Sequence, residues 1–229
     1  TDTSETDLNS PHILVLGSSF ETMGTHSINI PTSELSSAVG VSSVSSGSSD
    51  KLLHGLNYQM EVRMQDDLGN SQASSTKSNI FVDLVSEGTQ FVSMSNDVSM
   101  GANIGVSIGN IEPISNQDFK FIIEHKAGNP DAKAPYNLSL ASSLTGIGTQ
   151  TFTLNANNLG ESPAVESISH GGSSGDNTLI DGAIYDFIIQ SRDTNSNAAV
   201  YDTIANVSMD FITESPVISY PVASSIMKV

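Results

Sequence analysis

Residues 78–87 read SNIFVDLVSE and residues 205–214 read ANVSMDFITE, one phrase written twice, 127 positions apart. Asn79 falls over Asn206, Asp83 over Asp210 and Glu87 over Glu214, with apolar residues facing apolar ones between them. A long-period match constrains a fold more than any local signal, because each copy must build the same supersecondary unit. At the same offset Leu52 lies over Leu179, Gly55 over Gly182, Tyr58 over Tyr185, Asp66 over Asp193 and Asn70 over Asn197. Upstream the offset is 124: GTHSINIPTSEL (24–35) lies over GTQTFTLNANNL (148–159), and Pro11 over Pro135. A three-residue length change between 36 and 46 is expected to reconcile the two offsets. The chain reads as a tandem array of one unit of about 127 residues.

The expected divisions are an incomplete first copy over 1–85, a complete second copy over 86–214, and the start of a third copy, or a donor strand, over 215–229. The first copy lacks whatever 86–124 supply, which would leave a buried face and a sheet edge open. SPVISYPVASSIMKV (215–229) matches the start of the unit around GTQFVSMSNDVSMGA. Val217, Ile218, Tyr220 and Val222 are therefore the expected donor strand, filling the incomplete copy in this chain or in another by strand addition.

Alternation at period two marks strands over 89–95, 99–109, 118–126, 136–142, 149–155, 184–192 and 206–212. Clusters such as GNPDA and HGGSSGDN supply turns between them. No stretch sustains a helical period, and the polarity comes from Ser, Asn, Thr and Gly rather than from helix formers. The expected fold is all-β: tandem antiparallel β-sandwiches, the first incomplete.

LLHGLNY (52–58) and LIDGAIY (179–185) both fit L-x-x-G-x-x-Y. This resembles the turn into the sixth strand of fibronectin type III domains, L-x-P-G-x-x-Y. VRMQDDLGNSQASS (62–75) is similar to that family's strand, hairpin and final strand. The resemblance implies a structural corner at Leu52, Gly55 and Tyr58, and again at Leu179, Gly182 and Tyr185, where the tyrosine ties strand to loop. His54 and Asp181 stand where the family has Pro, no Trp occurs, and the unit is longer through 155–184. A related immunoglobulin-like sandwich is the alternative.

The formal charge of −17, with eight Lys plus Arg, repels phosphate backbones and anionic lipid, so nucleic acid is not an expected partner. The absence of cysteine removes disulfides, zinc thiolates and thiol nucleophiles. No apolar run approaches the roughly 18–20 residues that span a bilayer, so no direct membrane insertion is expected. GVSIG (105–109) fits a nucleophile-elbow pattern, but Ser107 sits within an alternating stretch with no helix after it. SHGGSSGDN (169–177) holds His, Ser and Asp as neighbours in a glycine-rich loop, not as a spatial constellation. No catalytic residue is assigned, and the chain is not expected to be an enzyme. Asp66, Asp67 and Asn70, with Asp193, Asn195 and Asn197, supply the oxygens a calcium ion takes, and equally the residues a tight hairpin takes. No other cofactor is implied. Asn137 and Asn206 head glycosylation sequons.

The expected role is structural: a repeat segment of a fibre, stalk, sheath or adhesin, extracellular or at a cell or virion surface. Its partners would be copies of itself or adjacent repeats. The alternative is a non-catalytic accessory module that binds a surface protein or a glycan.

Overall fold

The computed structural model describes residues 6–173 and 176–212. The expected donor residues Val217, Ile218, Tyr220 and Val222, with all of 215–229, lie outside the described residues. The described elements are β-strands and single 3-10 turns, so the fold is all-β. The chain divides into two compact units, Thr1–Val85 and Ser86–Val229.

The first unit has four described strands: β1 (Ile13–Leu16), β2 (Val41–Ser45), β3 (Asn57–Met64) and β4 (Ala73–Phe81). They form two separate antiparallel ribbons, β1 with β2 and β3 with β4. Its buried apolar side chains, among the described residues, are Leu35, Ala38 and Val82.

The second unit has nine described strands: β5 (Thr89–Phe91), β6 (Ser99–Met100), β7 (Asn103–Asn110), β8 (Lys120–Gly128), β9 (Tyr136–Leu140), β10 (Gly148–Asn155), β11 (Val165–Ser169), β12 (Ala183–Ser191) and β13 (Val200–Met209). One sheet runs β10-β7-β5 and the other β11-β9-β8-β12-β13-β6. Every pairing is antiparallel except the two-residue contact of β6 with β13. Alternation builds the core directly. β12 buries Ala183, Tyr185, Phe187, Ile189 and Ser191 in turn, and β8 buries Phe121 and Ile123. From the other sheet β7 adds Ile104, Val106 and Ile108, and all these apolar side chains belong to one cluster. Phe121 is the junction. Its ring meets Phe91 at 5.8 Å and Phe152 at 6.1 Å from the three-stranded sheet, and Phe187 at 5.4 Å from its own. Each edge-on pair adds about 0.5–1.5 kcal/mol beyond buried area.

Several expected strands move. The stretch 89–95 shortens to Thr89–Phe91, and 99–109 breaks at Gly101–Ala102 into strands of different sheets. Residues 165–169, expected within an insertion, form β11 and pair with β9. The last strand begins at Val200, not at 206, and bulges at Asn206. There Ile204 opposes Phe187 and Val207 opposes Tyr185, so three positions of β13 span two of β12. Asn206 takes φ +58° to do this, a left-handed conformation that Asn tolerates better than bulkier residues. Asn79 has the same φ of +58°, with Lys77 opposite Met60 and Ile80 opposite Tyr58. Residues 24–31, which lie over β10 in the sequence, carry no strand. The expected length change also falls later than 36–46. β2 and β11 start 124 positions apart, whereas the backbone acceptors of Leu35 and Leu159 are Asp50 and Asn177, 127 apart.

Candidate functional site

Each unit has a buried carboxylate that fastens its strands at one end. In the second unit the Tyr185 hydroxyl donates to Asp131 Oδ2 at 2.7 Å and accepts the Ile180 N–H at 3.0 Å. The Tyr136 hydroxyl lies 2.9 Å from the same Oδ2, and Oδ1 accepts the Lys133 N–H at 3.0 Å. Tyr136 opens β9 and Tyr185 lies in β12, so one carboxylate ties the two strands that flank β8. In the first unit Tyr58 donates to Asp7 Oδ2 at 2.8 Å and accepts the Leu53 N–H at 2.8 Å. His12 Nε2 lies 2.7 Å from that Oδ2, and Oδ1 accepts the Asn9 N–H at 2.9 Å.

The electrostatics follow from this packing. Burial alone would raise the Asp7 pKa, but hydrogen bonds from His12, the Asn9 N–H and Tyr58 outweigh it and the pKa falls below its ordinary value. Burial first, then the hydrogen bond and charge of Asp131, pushes Tyr136 far up. Burial also raises Tyr185, with Asp131 adding to it and the Ile180 N–H opposing.

The remaining corner residues hold the turn. Leu52 and Leu179 donate backbone N–H groups to Thr32 and Ala156, each at 2.8 Å. Gly55 (φ +79°) and Gly182 (φ +70°) donate to Val82 and Met209, also at 2.8 Å each. His54 and Asp181, the third residue of each corner motif, accept the same kind of bond. His54 Nδ1 takes the Leu84 N–H at 2.9 Å, and Asp181 Oδ1 takes the Phe211 N–H at 2.9 Å. Asp7, Asp131, His12 and Tyr136 were not among the expected site residues. Their signal was the 124 offset itself, which pairs Asp7 with Asp131 as it pairs Pro11 with Pro135.

The second feature is an open strand edge. In the second unit β8 lies between β9 and β12 and pairs with both. Phe121 opposes Leu138 and Ile189, and Ile123 opposes Tyr136 and Phe187. In the first unit no described strand pairs with the second edge of β1 or of β3. The side chains record the difference: Phe187 and Ile189 are 0% exposed, while Met60, Val62 and Met64 in β3 are 46%, 52% and 65% exposed.

The hairpin carboxylates turn inward on their own loops. Asp66 accepts the Leu68 N–H at 3.1 Å, the Asn70 N–H at 3.2 Å and the Asn70 side-chain amide at 2.6 Å. Asp193, buried, accepts the Asn195 N–H at 3.1 Å, the Asn197 N–H at 3.0 Å and the Asn197 amide. Asp67 is exposed beside the first of these turns. Both carboxylates thus hold nitrogen donors of their own loops, and an ion taking these oxygens would compete with those hydrogen bonds. Ser107 lies in β7 opposite Thr151. His170 accepts the Gly172 N–H at Nδ1 (3.0 Å) and meets Asn177 Oδ1 at Nε2 (2.8 Å), fixing its loop. Asn137 is half-buried in β9 between β8 and β11. Asn206 is exposed on the β13 bulge, with its amide donating to Asp97 at 3.0 Å.

Comparison with protein-family models finds no match, and comparison with curated proteins finds no significant match.

Proposed function

We propose that this chain is a structural repeat segment of an extracellular fibre, stalk, sheath or adhesin, with both units cut to one β-sandwich blueprint of the fibronectin type III or immunoglobulin-like kind. One observation carries the reading: each unit closes its corner with an Asp that binds the corner tyrosine and a second ring-bearing residue through the same Oδ2. Supporting it, the two-sheet order and common core of Ser86–Val229 suit a sandwich. Among the described residues the first unit has counterparts of β9, β11, β12 and β13, with edges to which adjacent repeats or copies could add a strand. Units that join end to end by such edges build linear assemblies. Negative-stain electron microscopy over a concentration series tests this, and linear head-to-tail particles are expected. Monodisperse single particles at every concentration, together with saturable hits on a glycan array, would instead identify an accessory binding module.

A further inference from the structure

The geometry points to one occupant for the open edge: a strand with the β8 pattern, inserted between β1 and β3 and antiparallel to both. The inference rests on the shared blueprint proposed above. The second unit supplies the template. There the strands fastened by Asp131 through Tyr136 and Tyr185 accept Lys120–Gly128 between them. In the first unit Asp7 fastens the residue preceding β1 and the second residue of β3 in the same way. Among the described residues both strands keep one unpaired edge, and an inserted strand would form main-chain ladders with each.

The register follows from the 124 and 127 offsets. A residue in the place of Phe121 would lie beside Leu14 and Val62, and one in the place of Ile123 beside His12 and Met60. The occupant must therefore be an extended segment with bulky aromatic or branched aliphatic side chains at alternate positions. Its inward residues would cover Met60 and Val62, now 46% and 52% exposed. The tail 215–229 has a different match: it lies over the β5–β6 stretch, which in the second unit lines other edges. The tail's pattern therefore matches a β5-like position rather than this slot.

The test uses the full chain and a synthetic peptide of residues 117–128, QDFKFIIEHKAG. Hydrogen exchange read by mass spectrometry should slow at least tenfold in 13–16 and 57–64 on saturation, with no change in 183–191. The same peptide with F121K and I123K should leave exchange unaltered, and V62K in the chain should weaken binding at least tenfold. Fusing residues 117–128 to Thr1 through a flexible linker should give the same protection without added peptide. Protection by a 215–229 peptide but not by 117–128 would overturn the inference. So would equal protection by a scrambled peptide, or concentration-dependent self-protection of 57–64 with no peptide effect, or no protection from either the free or the fused strand. Slot filling without linear particles would retain this inference and remove the fibre reading. Linear particles that persist while the slot rejects the peptide would do the reverse.

Discussion

Asp7 and Asp131 each gather two ring donors and a backbone N–H, and this concentration makes the corner sensitive to one proton. Burial opposes the charge on Asp7, yet the hydrogen bonds dominate and the folded pKa lies below the unfolded one. The stabilisation is therefore complete above about pH 4 and disappears as pH falls through the folded pKa. Asp7→Asn should cost about 1–3 kcal/mol at neutral pH and remove that part of the acid dependence. Tyr58 is the only tyrosine of 1–85, so its ring NMR signals report both effects. An acid profile unchanged in the variant would show that the carboxylate does not set it. The corner also shows what residue matching conceals. His12 stands over Tyr136 and His54 over Asp181. Each pair differs in type and performs one hydrogen-bonding task, which identity at an offset does not register. Asn79 and Asn206 are the opposite case: the shared letter was visible, but its reason, a positive φ at a bulge, needed the backbone.

Strand by strand, alternation was a good guide wherever a strand is buried on one face and unbroken, as in β8, β12 and β10. It failed where the ladder is irregular. Starting the last strand at 206 took in Val207, Met209 and Phe211, which all meet the core, but missed Ile204 on the far side of the bulge. It passed over β11 because five residues with two half-buried side chains carry little periodic signal. The central place of β8 was also hidden, since alternation marks a strand without naming its neighbours. Its importance is measurable. Phe121→Ala should lower the unfolding free energy by about 3–5 kcal/mol, because the ring joins both sheets. Met60→Ala, at an exposed site, should change it by less than about 1 kcal/mol. Denaturant unfolding of the two variants checks the contrast, and equal losses would contradict it.

At the scale of the whole molecule, one unit has a common two-sheet core and the other, among the described residues, has two ribbons each with an unpaired edge. Opening free energies should differ accordingly. Amides of β8 and β12 should exchange slowest, and those of β3 on its unpaired edge at least a hundredfold faster, when native-state hydrogen exchange is followed on the full chain. Similar rates in β3 and β12 would mean that the first unit is already filled in solution. The identity of the side chains on that open strand has a further result. Where β12 carries Phe187 and Ser191, β3 carries Met60 and Met64, whose thioethers are accessible to oxidants. Conversion to sulfoxide would turn pliant apolar side chains into polar, chiral ones. In peroxide a bare strand of this kind would thus lose its apolar character chemically, while one sheltered by a paired segment would keep it.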